Sequence, residues 1–377
     1  MSRLLLVIFF IVLIFSPSIN AEQNALEKKK QMNRPVAEQN RTAVIEPEHM
    51  ISPILTVHQK PSPLDEFFIT PSVHNSTFRQ VSQVPTELDQ NNTSSAISTD
   101  YVKKASFQRL HSVHGYNEIV EKKLNFLTGS FRSTVAQWLG LSSRYLPLMV
   151  DIIEEKGLPV DLVFLPLIES GFKTSAYSSA HAAGQWQFIA PTGQRYGLKI
   201  NEWVDERRDP EKATRAAAHY LSDIYEMFGS WNLALAGYNC GENRIAQAVS
   251  QSGSRSFWKI RNLLPQETQN YVPIYIAATM IAKDPSRYGF NDVKYQKPLE
   301  FDLVMLETPM ELKTVAHLSG TSVETLRSLN PELKTNKTPP NVSYYLMRIP
   351  EGKRKTFFNN LNRLVDRNDQ RKQVARK

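Results

Sequence analysis

Apolar residues recur three or four positions apart along much of the chain, which is the spacing of a helix with one buried face. Three such segments cover residues 116–127, 131–139 and 142–155. After a break at Gly157-Leu-Pro159, residues 159–172 leave almost no face polar. We therefore predict a helix buried on most sides, which begins at Pro159 and ends at Gly171. Proline suits a first helical turn, and glycine suits the left-handed residue after the last one.

Further helices are predicted downstream. Asp209-Pro-Glu211 is a strong helix start, because aspartate accepts hydrogen bonds from the first backbone amides and proline fits the position after it. This helix extends to Gly229, the next runs from Trp231 to residues 238–241, and the last spans 265 to about 283. The preceding charge cluster, residues 205–209, is interpreted as a surface ion-pair network. Without a convincing strand pattern between residues 105 and 290, this part is predicted to be all-α.

A smaller module with a different pattern follows. Residues 301–306 alternate as a half-buried strand does, residues 310–318 have helical spacing, and residues 344–349 form a second strand-like run. Thr321-x-x-Glu324 is a capping-box pattern that opens a helix over residues 323–329. Strand, helix, helix and strand within about 50 residues predict a compact α+β module. The predicted fold class is therefore mainly α, with a small α+β addition.

The N-terminal part differs in composition from the rest. Residues 1–21 join a positive start to an apolar run of 12 residues and the small residue Ala21. This is the pattern of a secretory signal peptide, and an uncleaved membrane anchor is the alternative. The protein is expected to be exported to the periplasm or cell envelope, and to be membrane-associated if the signal is retained. The predicted parts are a signal peptide at 1–21, a disordered linker at 22–100, a helical domain at 101–295 with its core at about 155–290, the module at 299–350 and a basic tail at 351–377.

Charge and cysteine content narrow the range of partners. Residues 351–377 account for +6 of the net charge of +8, since nine Lys and Arg stand there against three Asp and Glu. An excess confined to a tail argues against nucleic acid and favours anionic envelope polymers or lipid head groups. A solvated tail without a partner is an equal alternative. The single cysteine, Cys240, excludes an internal disulfide and a cysteine-based zinc site.

Glu169 is the first candidate for chemistry. It stands between Ile168 and Ser170-Gly171, at the end of the predicted buried helix. Burial and the negative end of the helix dipole both raise the pKa of a carboxyl group in such a place. A carboxyl group that stays protonated near neutral pH can act as a general acid. The spacing alone favours the simpler interpretation, a glutamate that caps or salt-bridges a helix end.

Two other segments offer binding groups. In residues 182–188, small residues let a ligand approach the backbone, Trp186 offers a stacking face, and Gln187 offers an amide for hydroxyls and acetamides. Glu267 and Tyr271 lie four residues apart and share one face of the last predicted helix. We expect both to point at one cavity, although a buried hydrogen bond between them would use the same spacing.

Four motifs occur in a fixed order within residues 110–295. They are Leu165-Pro-Leu-Ile-Glu-Ser-Gly-Phe172, Gly184-Gln-Trp-Gln-Phe188, Ala236-Gly-Tyr-Asn-Cys-Gly241 and Glu267-Thr-Gln-Asn-Tyr-Val-Pro273. These motifs resemble those of the family 1 lytic transglycosylases, and in particular the membrane-bound lytic murein transglycosylase D type. The resemblance implies a goose-type, lysozyme-like, all-helical catalytic domain that acts on peptidoglycan glycan strands, with no metal or organic cofactor.

The resemblance also implies roles for single residues. Glu169 corresponds to the family's catalytic acid/base. The residues implied to bind substrate around it are Ser178 (or its neighbour Ser179), Trp186, Gln187, Tyr238, Asn239, Glu267 and Tyr271. Within this set, Glu267 and Tyr271 are expected to line the site opposite Glu169.

The chain departs from the family pattern in several places. Pro191 stands one position later than usual, which is expected to alter one loop. Cys240 replaces Ser or Ala and is expected to be a packed residue rather than a nucleophile, and Gln269 replaces an arginine. The module at 299–350 resembles a LysM glycan-binding domain. It is a degenerate one, because Glu307-Thr-Pro-Met310 replaces the usual Gly-Asp-(Ser/Thr)-Leu turn.

The implied reaction uses one carboxyl group. Protonated Glu169 gives its proton to the oxygen between N-acetylmuramic acid and N-acetylglucosamine, and the 2-acetamido group stabilises the developing positive charge. The carboxylate then accepts the proton of the sugar's own 6-hydroxyl, which attacks the anomeric carbon and forms a 1,6-anhydro sugar. One alternative is a lysozyme in which Glu206, Asp209 or Glu242 holds a water molecule. The other is a scaffold that binds glycan without cleaving it.

Overall fold

The computed structural model describes residues 117–375, and the predicted signal peptide, linker and first part of the helical domain lie outside them. Within the described residues the protein is mainly α, as the sequence predicts. The α-helices before residue 290 are α1 Glu118–Thr128, α2 Arg132–Glu155, α3 Leu165–Ser170, α4 Ala190–Arg195, α5 Pro210–Phe228, α6 Trp231–Cys240, α7 Glu242–Ser252, α8 Phe257–Ile260 and α9 Gln266–Lys283. None of the described helices combines the length and the apolarity needed to cross a membrane.

The predicted starts and ends of α5, α6 and α9 are confirmed, whereas α2 differs from its prediction. The segments 131–139 and 142–155 form a single helix, which the polar pair Ser142-Ser143 does not interrupt. Their hydroxyl groups donate to the carbonyl groups of Leu139 and Gly140, at 2.8 and 2.9 Å, and so are satisfied within the helix.

The buried helix predicted for 159–172 is two pieces. A 3₁₀ turn, Val160–Phe164, precedes α3, and Pro166 stands at the start of α3. Because proline has no amide hydrogen, it cannot continue an α-helical ladder from the preceding turn. Tyr275 of α9 holds the 3₁₀ turn by donating to the carbonyl oxygen of Asp161 at 2.7 Å. This bond ties the segment that leads into α3 to α9.

A second hydrophobic core follows residue 300. Strand β1, Phe301–Leu306, pairs antiparallel with β2, Tyr345–Pro350, and between them lie α10, Leu312–Ser319, and α11, Val323–Leu329. The predicted strand–helix–helix–strand order is confirmed. The capping prediction is wrong by one residue, because Ser322 and not Thr321 accepts the amide of Thr325, at 3.1 Å. Ser322 has the extended backbone of an N-cap residue.

The predicted basic tail begins as a helix, α12, Arg354–Ala375. Phe357 of α12 is fully buried in the second core, and the side-chain amide of Asn360 donates to the carbonyl oxygen of Leu318 at 3.0 Å. The same core includes Val204, which belongs to the helical part of the chain. The second core is therefore built from three parts of the sequence.

The charge cluster 205–209 is not on the surface, contrary to prediction. Asp205, Glu206, Arg207 and Asp209 are all less than 8% exposed, and Asp209 is 1% exposed. Each has an ionic partner at 2.5–2.7 Å, so that burial leaves no charge uncompensated. The predicted N-cap is confirmed, since the Asp209 carboxylate accepts the amides of Glu211 and Lys212 at the start of α5.

Candidate active site

Glu169 lies in the last turn of α3 and is half-buried. Gly171 ends the helix in the left-handed region, with φ 60°, and a Cβ atom there would lie 2.2 Å from Cδ1 of Trp138. The neighbouring hydroxyl of Ser170 donates to the carbonyl oxygen of Gln185 at 2.8 Å. The end of α3 is thus held between α2 on one side and the segment 184–188 on the other.

The carboxyl group of Glu169 is surrounded by groups that change its proton affinity. Burial raises the pKa of Glu169 to about 7, the hydrogen bond from the Tyr271 hydroxyl lowers it, and the nearby charge of Glu267 raises it. At neutral pH the group is therefore divided between its acid and its base form. A general acid that later acts as a base needs this balance.

Tyr238 and Asn239 fix the wall beside this carboxyl group. The Tyr238 hydroxyl donates to the carbonyl oxygen of Trp186 at 2.7 Å, and its pKa is raised well above the usual value by burial and by Glu169. The amide nitrogen of Asn239 donates to Glu267 at 3.1 Å, and its amide oxygen accepts the Thr268 hydroxyl at 2.7 Å. These bonds join the end of α6 to the first turn of α9, next to Glu169.

The segment 178–188 is a tightly folded loop, referred to below as the cleft loop. The hydroxyl of Ser178 accepts the amide of Ala182 at 3.0 Å, and the side-chain amide of Gln187 donates to the carbonyl oxygen of Gly184 at 2.7 Å. A Cβ atom on Gly184, which has φ 80°, would lie 1.8 Å from the carbonyl oxygen of Arg207. Only glycine allows the two backbones to approach this closely.

Backbone strain is concentrated around the site. Among the described residues, positive φ outside glycine occurs at Phe172, His181 and Gln187, with values of 63°, 61° and 49°. Phe172 follows α3, while the other two lie in the cleft loop. Such conformations persist only where the surroundings impose them, and they are common at functional sites. No motif in the sequence marks His181 as part of the site. Its ring hydrogen-bonds the exposed Tyr177 at 2.8 Å.

The stacking role expected for Trp186 is contradicted by its burial. Its side chain is 0% exposed, and its indole nitrogen donates to the hydroxyl of Thr214 at 2.9 Å. The indole therefore faces α5 and cannot stack on a ligand. Trp186 contributes to the site through its backbone, as the acceptor for Tyr238.

The three carboxylates considered for holding a water molecule all have ionic partners. Glu206 accepts the amide of Lys199 at 2.7 Å and pairs with Lys212 at 2.5 Å, while Asp209 is buried as an N-cap and an ion-pair partner. Glu242 pairs with Arg195 at 3.2 Å. In the part of the chain that the structure describes, no cluster of three His, Cys, Asp or Glu residues is placed to hold a metal ion.

The opposite effects of Tyr271 and Glu267 can be measured separately. Tyr271→Phe removes a donor to the carboxylate and is expected to raise the pKa of Glu169 above about 7. Glu267→Gln removes a negative charge and is expected to lower the pKa. The ¹³C shift of the Glu169 carboxyl carbon, followed in a pH titration, checks both. Tyr196→Phe is the matched control, because this hydroxyl donates to a different and exposed carboxylate, that of Asp223, at 2.8 Å. A lowered pKa in Tyr271→Phe would contradict the arrangement.

Comparison with known families gives two matches. Residues 154–261 match the family model described as transglycosylase SLT domain. Residues 300–366 match that described as lytic transglycosylase MltD, LysM-like domain. The two matches correspond to the helical part around Glu169 and to the second core with the beginning of α12. They confirm the resemblance inferred from the sequence motifs.

Similar proteins cover part of the chain. Membrane-bound lytic murein transglycosylase D of Escherichia coli (strain K12) is 36% identical over 200 residues, which are 52% of this chain and 44% of that protein. A protein of Alteromonas sp. (strain M-1), whose name refers to tributyltin chloride resistance, is 36% identical over 129 residues, 34% of this chain and 62% of that protein. The chain thus spans about half the length of the curated relatives it matches. The 70 kDa soluble lytic transglycosylase of Escherichia coli matches with a TM-score of 0.35 and 19% identity, over 48% of this chain and 32% of that one.

Proposed function

We propose that this chain, in which a transglycosylase SLT domain is followed by a LysM-like domain, is a peptidoglycan lytic transglycosylase with Glu169 as its acid/base. The observation that carries the proposal is the state of this one carboxyl group. Glu169 ends α3 in the domain's Glu-Ser motif, accepts a hydrogen bond from Tyr271, and has its pKa raised to about 7 by burial. Among the three carboxylates suggested as a second catalytic group, Glu206 and Asp209 are engaged in buried ion pairs.

The first step cleaves the glycosidic bond. The protonated carboxyl group of Glu169 donates its proton to the oxygen between N-acetylmuramic acid and N-acetylglucosamine, so that the leaving sugar departs as a neutral alcohol. The negative charge of Glu267 and the substrate's 2-acetamido group stabilise the positive charge that develops at the anomeric carbon. Tyr271 keeps the carboxyl group oriented through its hydrogen bond.

The second step closes the anhydro ring. The Glu169 carboxylate accepts the proton of the 6-hydroxyl on the muramic acid residue, and that oxygen bonds to the anomeric carbon. Glu169 is then protonated again, no water is consumed, and the product ends in a 1,6-anhydro sugar. An attacking hydroxyl held on the same sugar has a high effective concentration, which lowers the entropic part of the barrier.

The proposed substrate-binding residues lie on three elements. Gln187 and Ser178 lie in the cleft loop, Tyr238 and Asn239 end α6, and Glu267 and Tyr271 begin α9. The amide and hydroxyl groups suit the hydroxyls and acetamides of a glycan strand. The Trp186 side chain is fully buried against α5 and does not contact the sugar.

We extend the proposal to location and partners. The signal-like residues 1–21 support export to the cell envelope, where peptidoglycan is found. The excess positive charge of residues 351–377 lies mainly in α12, and supports a contact with an anionic envelope polymer or lipid surface.

Product analysis tests the proposed function. Purified peptidoglycan digested with the full chain is expected to release fragments ending in 1,6-anhydro-N-acetylmuramic acid, identified by mass spectrometry. Reducing ends heavier by one water would instead establish a lysozyme-type hydrolase. Binding to peptidoglycan with no released fragment would establish a scaffold. Either result would overturn the proposal.

A further inference from the structure

The LysM-like module is built into the helical domain rather than tethered to it. Val204 of the helical domain lies in the module's core and pairs with Leu333 through a β-bridge. The bridge is flanked by two backbone hydrogen bonds, from Asp205 to Glu332 at 2.8 Å and from Lys334 to Trp203 at 2.9 Å. The segment 203–205 of the helical domain is thereby shared between the two parts.

A buried ion pair also joins the module to the helical domain. Arg348 of β2 is 6% exposed and donates to both carboxylate oxygens of Asp209, at 2.7 and 3.1 Å. It also reaches Glu211 at 3.2 Å. Because Asp209 caps α5, this pair fixes the start of a core helix from the module's side. A paired guanidinium and carboxylate hold one geometry that a flexible lysine would not impose.

Arg207 lies in sequence between the β-bridge at Val204 and the ion pair at Asp209, and it contacts the cleft loop. Arg207 lies in the 3₁₀ turn Glu206–Arg208 and pairs with Asp205 through two hydrogen bonds of 2.8 and 2.7 Å. Its third donor group, Nη1, bonds the carbonyl oxygens of His181 and Phe188 at 2.7 and 3.0 Å. These two carbonyls bracket the segment that carries Gln187.

We propose that the LysM-like module acts as a fixed brace for the substrate cleft, with Arg348 and Arg207 as positioning residues for the cleft loop. The connection runs from Arg348 to Asp209, through the backbone hydrogen bonds of the 3₁₀ turn, and from Arg207 to the loop. This inference rests on the proposed function, since the loop matters as a substrate-binding element. It gives the module a role that requires no glycan binding of its own.

A tether and a brace differ in how they depend on substrate length. A module that only binds glycan raises the local concentration of polymeric peptidoglycan and leaves short fragments unaffected. A brace acts on the cleft itself, and therefore on every substrate. A soluble glycan fragment of two disaccharide units, compared with polymeric peptidoglycan, separates the two roles.

The kinetic test uses the full chain with Arg348→Met, Arg348→Lys and a control. Arg132→Met removes an arginine–aspartate pair of the same kind at the surface, where the two side chains are 36% and 66% exposed. We expect Arg348→Met to raise KM for the short fragment about 10-fold or more, since small misplacements in a site are costly. We expect kcat and its pH midpoint to change little, because Glu169 titrates next to Tyr271 and Glu267. Arg348→Lys should recover part of the loss, and Arg132→Met should match the wild type.

A measurement of the loop separates this proposal from the proposed function. Hydrogen exchange of the amides of Ala183, Gly184 and Gln187 is expected to accelerate in Arg348→Met and in Arg207→Met, but not in Arg132→Met. An inactive wild-type protein would overturn the proposed function, and this exchange result would still report on the brace. Faster exchange confined to residues 330–350, or a loss of activity on polymeric peptidoglycan alone, would overturn the brace.

Discussion

Glu169→Gln is expected to eliminate the cleavage of peptidoglycan, with a loss of at least about 10³-fold in rate. The side-chain amide has no acidic proton for the glycosidic oxygen, and it cannot accept a proton from the 6-hydroxyl. Both steps pass through this one side chain, so neither can be sustained by another group. The amide oxygen can still accept the Tyr271 hydroxyl, which leaves the packing of the site unchanged.

The rate at which anhydro-ended fragments are released from peptidoglycan measures this effect. Glu155→Gln is the matched control, since Glu155 is an exposed glutamate of α2 paired with Arg215 at the surface. It is expected to retain wild-type activity. Unchanged cleavage by Glu169→Gln would contradict both the transglycosylase and the lysozyme interpretations of this residue.

The stability of the Glu169→Gln variant is expected to depend on pH in a way that tests the raised pKa of Glu169. The pKa of Glu169 is about 7 in the folded protein and 4.5 as the ordinary value. The folded state therefore binds this proton more tightly, and the resulting stabilisation is complete below pH 4.5 and is lost as the pH rises through 7. At pH 8, Glu169→Gln should be more stable than the wild type by up to about 3 kcal/mol, and near pH 4 the difference should almost vanish. Urea unfolding at both pH values checks this.

Gly184→Ala is expected to be the most damaging single change outside the catalytic carboxyl group. Its Cβ atom would lie 1.8 Å from the carbonyl oxygen and 2.6 Å from the carbonyl carbon of Arg207. Both are backbone atoms of a turn held by buried ion pairs, so they cannot move aside as a flexible side chain would. The loop or the turn must shift. We expect a loss of about 3 kcal/mol or more in the free energy of unfolding, together with a strong loss of substrate binding.

Gly197→Ala separates the backbone strain of an alanine at positive φ from the steric contact that Gly184→Ala makes with Arg207. Gly197 has a similar φ of 85°, yet nothing lies within 4 Å of a Cβ atom built there. Its substitution should cost only the backbone strain, of the order of 1 kcal/mol. Denaturant unfolding of both variants isolates the steric contribution at Gly184. Equal losses would show that the contact with Arg207 does not constrain the loop.

Local signals predict much of the fold and the key carboxyl group. Glu169 is recognisable because the apolar run before it and Gly171 after it define a helix end within a few residues. The Asp209 N-cap and the ends of α5 and α6 follow from similar short-range rules. The one-residue error at Ser322 marks the limit of such rules, because Thr321 and Ser322 offer the same cap chemistry.

Long-range contacts account for what sequence reasoning missed. The charges at 205–209 suggest a surface, since nothing nearby shows that Arg348, 139 residues beyond Asp209, covers them. Trp186 suggests a sugar platform beside Gln187, and only its contact with Thr214 of α5 shows that the indole points inward. In both cases the local sequence is compatible with a buried or an exposed side chain. A contact with a residue distant in sequence determines which of the two occurs.

The β-bridge between Val204 and Leu333 has a consequence for how the two domains can change over generations. A LysM-like module whose core includes a residue of its neighbour cannot be exchanged as a cassette for another module of its kind. Removing it would uncover Val204 and take away Arg348, the buried ion-pair partner of Asp209. Substitutions at Asp209 and Arg348, or at Val204 and Leu333, are therefore expected to be tolerated best in compatible pairs. We expect the two domains to diversify as one unit.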